Sequence, residues 1–554
     1  MKQVEIFCVN TNSTHSYPLG TSLMEISKDL KIKLKHRVCG AIVNNQIKEL
    51  SFCVVKAKKI EFFDVTHQDG MRLYIRSLIF VLYVAVKKAF PKVTLQVQNG
   101  ISNGYYCELN GLDHEVTDSD ISVIIAEMKA LIEKDIPYIK KEMLTTDVVK
   151  LLKKQGLPEK ARLFEQQGRL FSSLYFLEEH GNYFYGHLLP STNYLVNFGL
   201  VKYFGGILLQ IPKRKNFGRL QKLEKQSKLF EIYQEQKDWA EILNVSTLAN
   251  LNDFALQNRS GEIIKISEAL HEKKIAEIAN VIHARSGFVK VVLVAGPSAS
   301  GKTTFSKRLG VQLAVNGLRP YQISLDDYFV NREKTPRDEF GEYDFEALHA
   351  IDIEFFNQQL IDLMDGKEVV LPRFDFHHGK RIMNGKKLKL LPGDILVVEG
   401  IHGMNPDLLT HVEAKNTFKI FISALTQISI DEQTHISTAD NRLLRRMIRD
   451  SKYRGYAAIE TIKRWPSVRR GEEKNIFPYQ ENANVMFNSA TLYELAVLRK
   501  YAIPILEQVP ENKEEYMEAK RLLKFLSYIK PIDDIEIPPT SLLREFLGGS
   551  SFAY

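Results

Sequence analysis

Eight consecutive residues constrain this chain more than any others. Gly296-Pro297-Ser298-Ala299-Ser300-Gly301-Lys302-Thr303 fit the pattern G-x-x-x-x-G-K-[ST], with Thr304 following. The stretch comes directly after an apolar, β-branched run, Val291 to Ala295, and before a helical pattern, the order of strand, loop and helix that such a loop needs. Glycine lets the backbone fold closely around an anion, and the N–H groups opening the helix can donate to it. Gly296, Ser298, Ala299, Ser300, Gly301, Lys302, Thr303 and Thr304 are therefore expected to cradle the phosphates of ATP. Lys302 places a cation near the β and γ phosphates, and the Thr303 hydroxyl can ligate Mg²⁺.

Apolar strands continue to alternate with helical stretches beyond the loop: Tyr321 to Leu325, Ile395 to Val398 and Phe418 to Ile422. This is the pattern of βαβ units and an α/β parallel sheet. Two of these strands end in acids. Glu399 follows Ile395 to Val398 and is the expected Walker B-type partner of the magnesium ion, because ligands of open α/β sheets gather at strand C-termini. Asp326-Asp327 follow Tyr321 to Leu325, and Asp326 is the candidate base for a substrate hydroxyl. The plainer reading of such acids is a solvated strand end or a turn cap. Farther on, Arg442, Arg445, Arg446 and Arg449 recur at spacings of three and four and so crowd one side of a helix. Like charges there call for an anion, and Arg454, Arg464, Arg469 and Arg470 extend the supply, as in a lid that brings guanidinium groups onto transferring phosphates. A solvated basic face, or one that meets RNA, is the alternative.

With 554 residues the chain has room for three or four domains at roughly 150 residues each. Residues 1–65 show short β-rich runs around a helical pattern from Ser22 to Leu30, with Thr21 available as its N-cap, and read as a small β-grasp unit. Residues 66–215 read as an α+β domain that contains an apolar helix from Met71 to Phe90, ended by Pro91. Residues 216–284 read as a helical connector, 285–500 as the α/β domain and 501–554 as a C-terminal helical tail. A net charge of +8 suits anionic ligands but is too small over this length to mark a nucleic-acid binder. Four cysteines without CxxC spacing argue against a disulfide scaffold or a thiol metal site. The N-terminus lacks the build of a signal peptide, and the longest apolar run, Leu78 to Val86, is less than half a bilayer span, so a soluble, cytoplasmic protein without membrane contact is expected.

The α/β segment, over about residues 285–490, resembles the uridine kinase and phosphoribulokinase family of P-loop kinases. The resemblance rests on Gly296 to Thr304, Ser324-Leu325-Asp326-Asp327-Tyr328-Phe329, Tyr343-Asp344-Phe345-Glu346, Pro372-Arg373-Phe374-Asp375-Phe376, Val398-Glu399-Gly400 and Arg442-Leu443-Leu444-Arg445-Arg446, in the family order. It implies Asp326 as the base, Lys302 and Arg445 in catalysis, Glu346 and Phe374 near a nucleoside, Arg442 and Arg445 near substrate and phosphates, and Thr303 and Glu399 near magnesium. The chain departs from the uridine kinase pattern where Phe374 lacks a hydroxyl and Gly379 stands at the histidine position, with His377 and His378 slightly early.

The first 215 residues resemble the N-terminal part of threonyl-tRNA synthetase, a TGS domain followed by its editing-like second domain. Tyr17-Pro18-Leu19-Gly20-Thr21-Ser22, Ala85-Val86-Lys87-Lys88-Ala89-Phe90-Pro91 and Asn103-Gly104-Tyr105-Tyr106-Cys107 carry this likeness. Arg76 and Phe80 stand where the editing site has its His-x-x-x-His, and no Cys-x-x-x-His occurs near Tyr185 to Ser191, so imidazole chemistry is not expected there; His187 reads as a packed or surface residue. The combined order is similar to that of multidomain bacterial nucleoside kinases. It implies an ATP- and Mg²⁺-dependent transfer to a nucleoside hydroxyl, such as the 5′ position of uridine. The alternatives are a kinase for another small hydroxylated metabolite and an RNA-associated P-loop ATPase switch. Expected partners are a nucleoside substrate and RNA or a regulatory ligand at the front domains, with assembly into a homo-oligomer left open.

Overall fold

Local chemistry accounts for the front of the chain. In the computed structural model, which describes residues 2–375 and 378–553, a mixed five-stranded sheet runs in the order Ser13–Pro18, Gln3–Cys8, Lys58–Phe63, Gly40–Val43, Ile47–Lys48. Gln3–Cys8 and Lys58–Phe63 are parallel neighbours, and the helix Leu23–Asp29 contributes Leu23 and Ile26 to the core beneath them, a β-grasp arrangement. The helix is capped by Ser22, not by Thr21. Ser22 has the extended backbone of an N-cap, and Glu25 three residues later closes a capping box, whereas the Thr21 hydroxyl is turned back onto the Pro18 carbonyl at 2.7 Å.

The long helix Gln68–Ala89 stops where the sequence dictates. Phe90 precedes Pro91 and is forced out of the helical region, at φ −137° and ψ 81°. Its apolar length is buried from Ser77 through Val86. It forms the spine of a second core against an antiparallel sheet ordered Gly199–Tyr203, Gly206–Gln210, Gly104–Asn110, Thr94–Ile101 and a three-stranded sheet containing Phe171–Leu177. No helix among the described residues is long and apolar enough to cross a membrane.

Three helices, Ser227–Ile242, Leu248–Leu256 and Ser260–His283, follow a short hairpin at Pro212–Leu220. The last is more than a connector. Its Ile275, Ile278 and Ile282 pack with Val292, Val294, Phe305 and Leu309 of the α/β unit, and Glu272 accepts from Arg308 at 2.6 Å. The α/β unit is built on a five-stranded sheet, parallel throughout, ordered Arg319–Ser324, Asp394–Glu399, Val291–Ala295, Thr417–Ser423, Val485–Asn488. All five residues of the central strand Val291–Ala295 are buried, as a parallel strand covered on both faces must be. The central position brings the P-loop between the ends of its neighbours, where Glu399 and, one strand farther, Asp326 emerge. The C-terminal segment returns to this unit: Leu542 joins the core under the P-loop helix Lys302–Val315, and Phe546 and Leu547 pack with Ala299 in another.

Candidate active site

The P-loop is shaped by two left-handed residues and one close approach. Ala299 and Gly301 have φ +58° and +85°, which curls the backbone immediately before the helix begins at Lys302. A side chain at Gly296 would place its Cβ 2.0 Å from the Ile422 carbonyl oxygen of the adjacent strand, so only glycine fits. The Ser300 hydroxyl is buried inside the loop with no hydrogen-bond partner among the described residues. Lys302 folds back so that its Nζ donates to the Pro297 carbonyl at 3.2 Å. The amides of Lys302, Thr303 and Thr304 open the helix ahead of its own hydrogen-bond ladder, a donor group suited to an anion.

Carboxylates close the other side. Glu399 accepts from the Thr303 hydroxyl and from the Ser324 hydroxyl, each at 3.2 Å. Burial, reinforced by the negative charge of Asp326, pushes Glu399 up to about 7, with Lys302 pulling the other way. Asp326 is likewise raised by burial, against the stabilising charges of Lys302, Arg454 and Arg449. The hydroxyls of Thr303 and Ser324 with the Glu399 carboxylate form a hard oxygen set, the donor chemistry that Mg²⁺ takes when phosphates supply its remaining ligands. The structure also separates the two neighbouring aspartates. Asp327 accepts the backbone N–H of Phe374 at 3.0 Å and so positions an aromatic ring, whereas Asp326 is under the charges of Lys302, Arg454 and Arg449.

Phe374 is buried and meets Phe329 edge to face, with ring centres 5.6 Å apart. Glu346 is pushed up to about 7 by burial and by Glu472 and Asp344, with Arg446 and Arg464 opposing. Phe376 and His377 lie outside the described residues, while His378 is exposed and bonded to Asp375 at 2.6 Å.

The arginine helix, Thr438–Arg454, divides along its length. Arg442 and Arg445, expected near substrate and phosphates, lie buried behind the loop. Arg442 is held by both oxygens of Glu472 and donates to the Ser298 carbonyl at 3.0 Å; Arg445 is held by Glu494 and donates to the Ser489 carbonyl at 2.9 Å. Glu472 also accepts the Ser298 amide at 3.0 Å, so these pairs brace the P-loop from beneath. One and two turns on, the same helix opens toward the cleft. Arg446 reaches the Ser298 hydroxyl at 2.9 Å, and Arg446, Arg449 and Arg454 share a single carboxylate, Asp450, at 3.3, 2.9 and 3.3 Å. Three guanidinium groups on one acid leave an excess of positive charge beside Asp326. The arginine spacing marked Arg446 and Arg449 together with the two buried ones, but it holds no signal of which would be buried. Glu472 and Glu545, whose carboxylate accepts from Thr304, have no local signature at all.

Residues 291–496 match the model of the phosphoribulokinase / uridine kinase family. The C-terminal half carries a P-loop kinase domain of that family. The front of the chain resembles threonyl-tRNA synthetase. A threonine–tRNA ligase of Syntrophomonas wolfei is 28% identical over 153 residues, covering 28% of this chain and 24% of the ligase. The chain spans about a quarter to a third of the length of the curated ligases it matches. Among solved structures, a putative fructose transport system kinase from Silicibacter sp. TM1040 is 17% identical with a TM-score of 0.29, covering 38% of this chain and 98% of that one. A possible uridine kinase from Bacillus stearothermophilus is 18% identical with a TM-score of 0.25, covering 36% of this chain and 89% of that one.

In the synthetase-like part, Arg76 and Phe80 occupy successive turns of the helix Gln68–Ala89. Phe80 is buried, and Arg76 makes one long hydrogen bond, 3.5 Å, to the His187 carbonyl. The His187 ring lies 3.5 Å from Glu49, so no imidazole pair forms there. A chain of ion pairs joins this part to the kinase domain. Arg72 binds Glu518 at 3.0 Å, Arg521 binds both Glu518 and Asp440, and Asp440 sits in the first turn of the arginine helix.

Proposed function

We propose that this chain transfers a phosphoryl group from ATP, with Mg²⁺, to the hydroxyl of a nucleoside. The observation that carries the reading is the meeting of Asp326, Glu399, Thr303 and Lys302 at the ends of adjacent strands and the P-loop. ATP bound there supplies the phosphoryl group. The chain's own residues supply position and charge. Loop amides and Lys302 hold the donor's phosphates, and Thr303 and Glu399 hold the magnesium ion. Asp326 accepts the proton of the attacking hydroxyl, its affinity for a proton raised by burial toward what a general base needs. Arg446, Arg449 and Arg454 neutralise the transferring group, while Arg442 and Arg445 keep the loop in shape. The Phe374 and Phe329 rings, with Glu346 beside the arginines, offer an apolar wall and a polar anchor suited to a base and its ribose.

A second reading has its own observation. The ion-pair chain from Arg72 to Asp440 ties the synthetase-like part to the helix that carries the cleft arginines, as an RNA-gated ATPase would require. One experiment separates the two: ADP release measured against a panel of nucleosides and sugars, and against tRNA. Turnover that rises with a nucleoside and yields its monophosphate supports the kinase. Stimulation by tRNA alone, with no phosphorylated acceptor, refutes it in favour of the switch.

A further inference from the structure

The anion cradle of the P-loop already holds an anion belonging to the chain. Glu545 lies 241 residues beyond Thr304, yet its Oε2 accepts from the Thr304 backbone N–H at 3.2 Å and from the Thr304 hydroxyl at 2.7 Å. Thr304 is fully buried, and its amide is one of the three that open the P-loop helix ahead of the helix's own hydrogen-bond ladder, the group of N–H donors that such loops aim at the inner phosphates of a nucleotide. A negative charge is thus placed where the donor's own negative charge must come.

The placement is built rather than incidental. Leu542, Leu543, Phe546 and Leu547 are buried around Glu545, and the Phe546 ring lies 5.1 Å beneath the Arg445 guanidinium. Arg544 fastens the segment from behind by donating to Asp534 at 2.8 Å and to the Ile537 carbonyl at 2.8 Å. Beyond it, the Lys452 ammonium, from the arginine helix, donates to the Leu547 carbonyl, and Lys307, from the P-loop helix, donates to the Ala553 carbonyl at 2.6 Å. Gly548, at φ +86° and ψ 176°, takes a backbone shape open only to glycine and turns the chain at that point. Residues 541–553 therefore clasp both the P-loop helix and the arginine helix, with one acid aimed at the phosphate donors.

We propose that Glu545 sets the affinity of the donor site by occupying the Thr304 amide and hydroxyl that an inner phosphate of the donor would take, so that binding displaces the carboxylate and loosens segment 541–553. The proposal rests on the ATP-binding reading above and adds to it a residue that tunes that site. Donors that reach deep into the loop pay for the displacement in affinity, and a charge-assisted hydrogen bond of this kind corresponds to about a tenfold change in binding or more.

The test uses the full chain and its Glu545→Gln and Glu545→Ala variants, with binding of magnesium ATP followed by calorimetry. Glutamine keeps an oxygen on Thr304 without the charge. Both variants are expected to bind roughly tenfold more tightly than the wild type. Equal or weaker binding by folded variants overturns the proposal. Amide exchange of the wild-type protein gives a readout that needs no variant: magnesium ATP is expected to speed exchange across 541–553, and protection unchanged at saturation overturns it. The two levels separate cleanly. If neither wild type nor variants bind ATP, the donor reading falls and takes this proposal with it; if all bind alike, only the role of Glu545 falls.

Discussion

Replacing Glu472 by alanine tests whether the P-loop is braced from beneath. Glu472 is fully buried, and its two oxygens hold Arg442, Arg469 at 3.0 Å and the Ser298 amide at 3.0 Å. Arg442 is itself 1% exposed, so its charge cannot turn to water when the partner is removed. Leaving one member of a buried ion pair uncompensated costs about 3–5 kcal/mol, and the orphaned Ser298 amide adds roughly 1 kcal/mol. For a unit of this size each kcal/mol lowers the midpoint by about 2–4 °C, so the kinase transition should fall by roughly 8–24 °C. Scanning calorimetry checks this, and ATP titration of the surviving folded protein should show weakened binding because the loop's second side-chain position is no longer held. The double variant Glu472→Leu with Arg442→Met removes both charges together and should recover most of the lost stability. A drop under about 2 °C for the single variant, or a double variant no more stable than the single, refutes the bracing argument.

Two further outcomes follow from the same site. Asp326→Asn should lower phosphoryl transfer by about 10²–10⁴-fold while leaving ATP affinity nearly unchanged, measured by product formation alongside calorimetric binding; an unaltered rate removes Asp326 from the chemistry. Glu399 and Glu346 are both pushed up to about 7 by burial, and Asp326 is raised as well, so in the folded protein they keep protons that the unfolded chain has released. The contribution of Glu399 and Glu346 to the stability of the ligand-free protein is complete below about pH 4.5 and is lost as pH rises through about 7, and that of Asp326 has the same sign; activity runs the opposite way, rising as the carboxylates ionise. Thermal midpoints and rates measured from pH 5 to 8 check both slopes, and a ligand-free midpoint that climbs across that interval contradicts the assignment.

What the sequence determined alone is what nearby residues build together. The P-loop was legible because its parts are consecutive: a strand, glycines at both ends of the loop, and helix amides that point at an anion; the left-handed turn at Ala299 was not. The positions of Glu399 and Asp326 were legible because a strand of known direction delivers the residues at its end to the sheet's C-terminal edge, Glu399 as the last of its strand and Asp326 two residues past Ser324. The helix Gln68–Ala89 was bounded by Pro91 through a steric effect one residue deep. Tertiary structure decided everything that depended on which distant charge arrived. Four arginines with the same spacing were separated into two that brace and two that face the cleft, because Glu472 and Glu494 come in from later helices to meet only the first pair. Asp326 and Asp327, identical in sequence terms, parted when the Phe374 amide claimed one of them. Glu545 reached the loop across 241 residues of chain. A carboxylate has the same chemistry wherever it stands; its role follows from burial and partners, and those are settled only when the chain closes on itself.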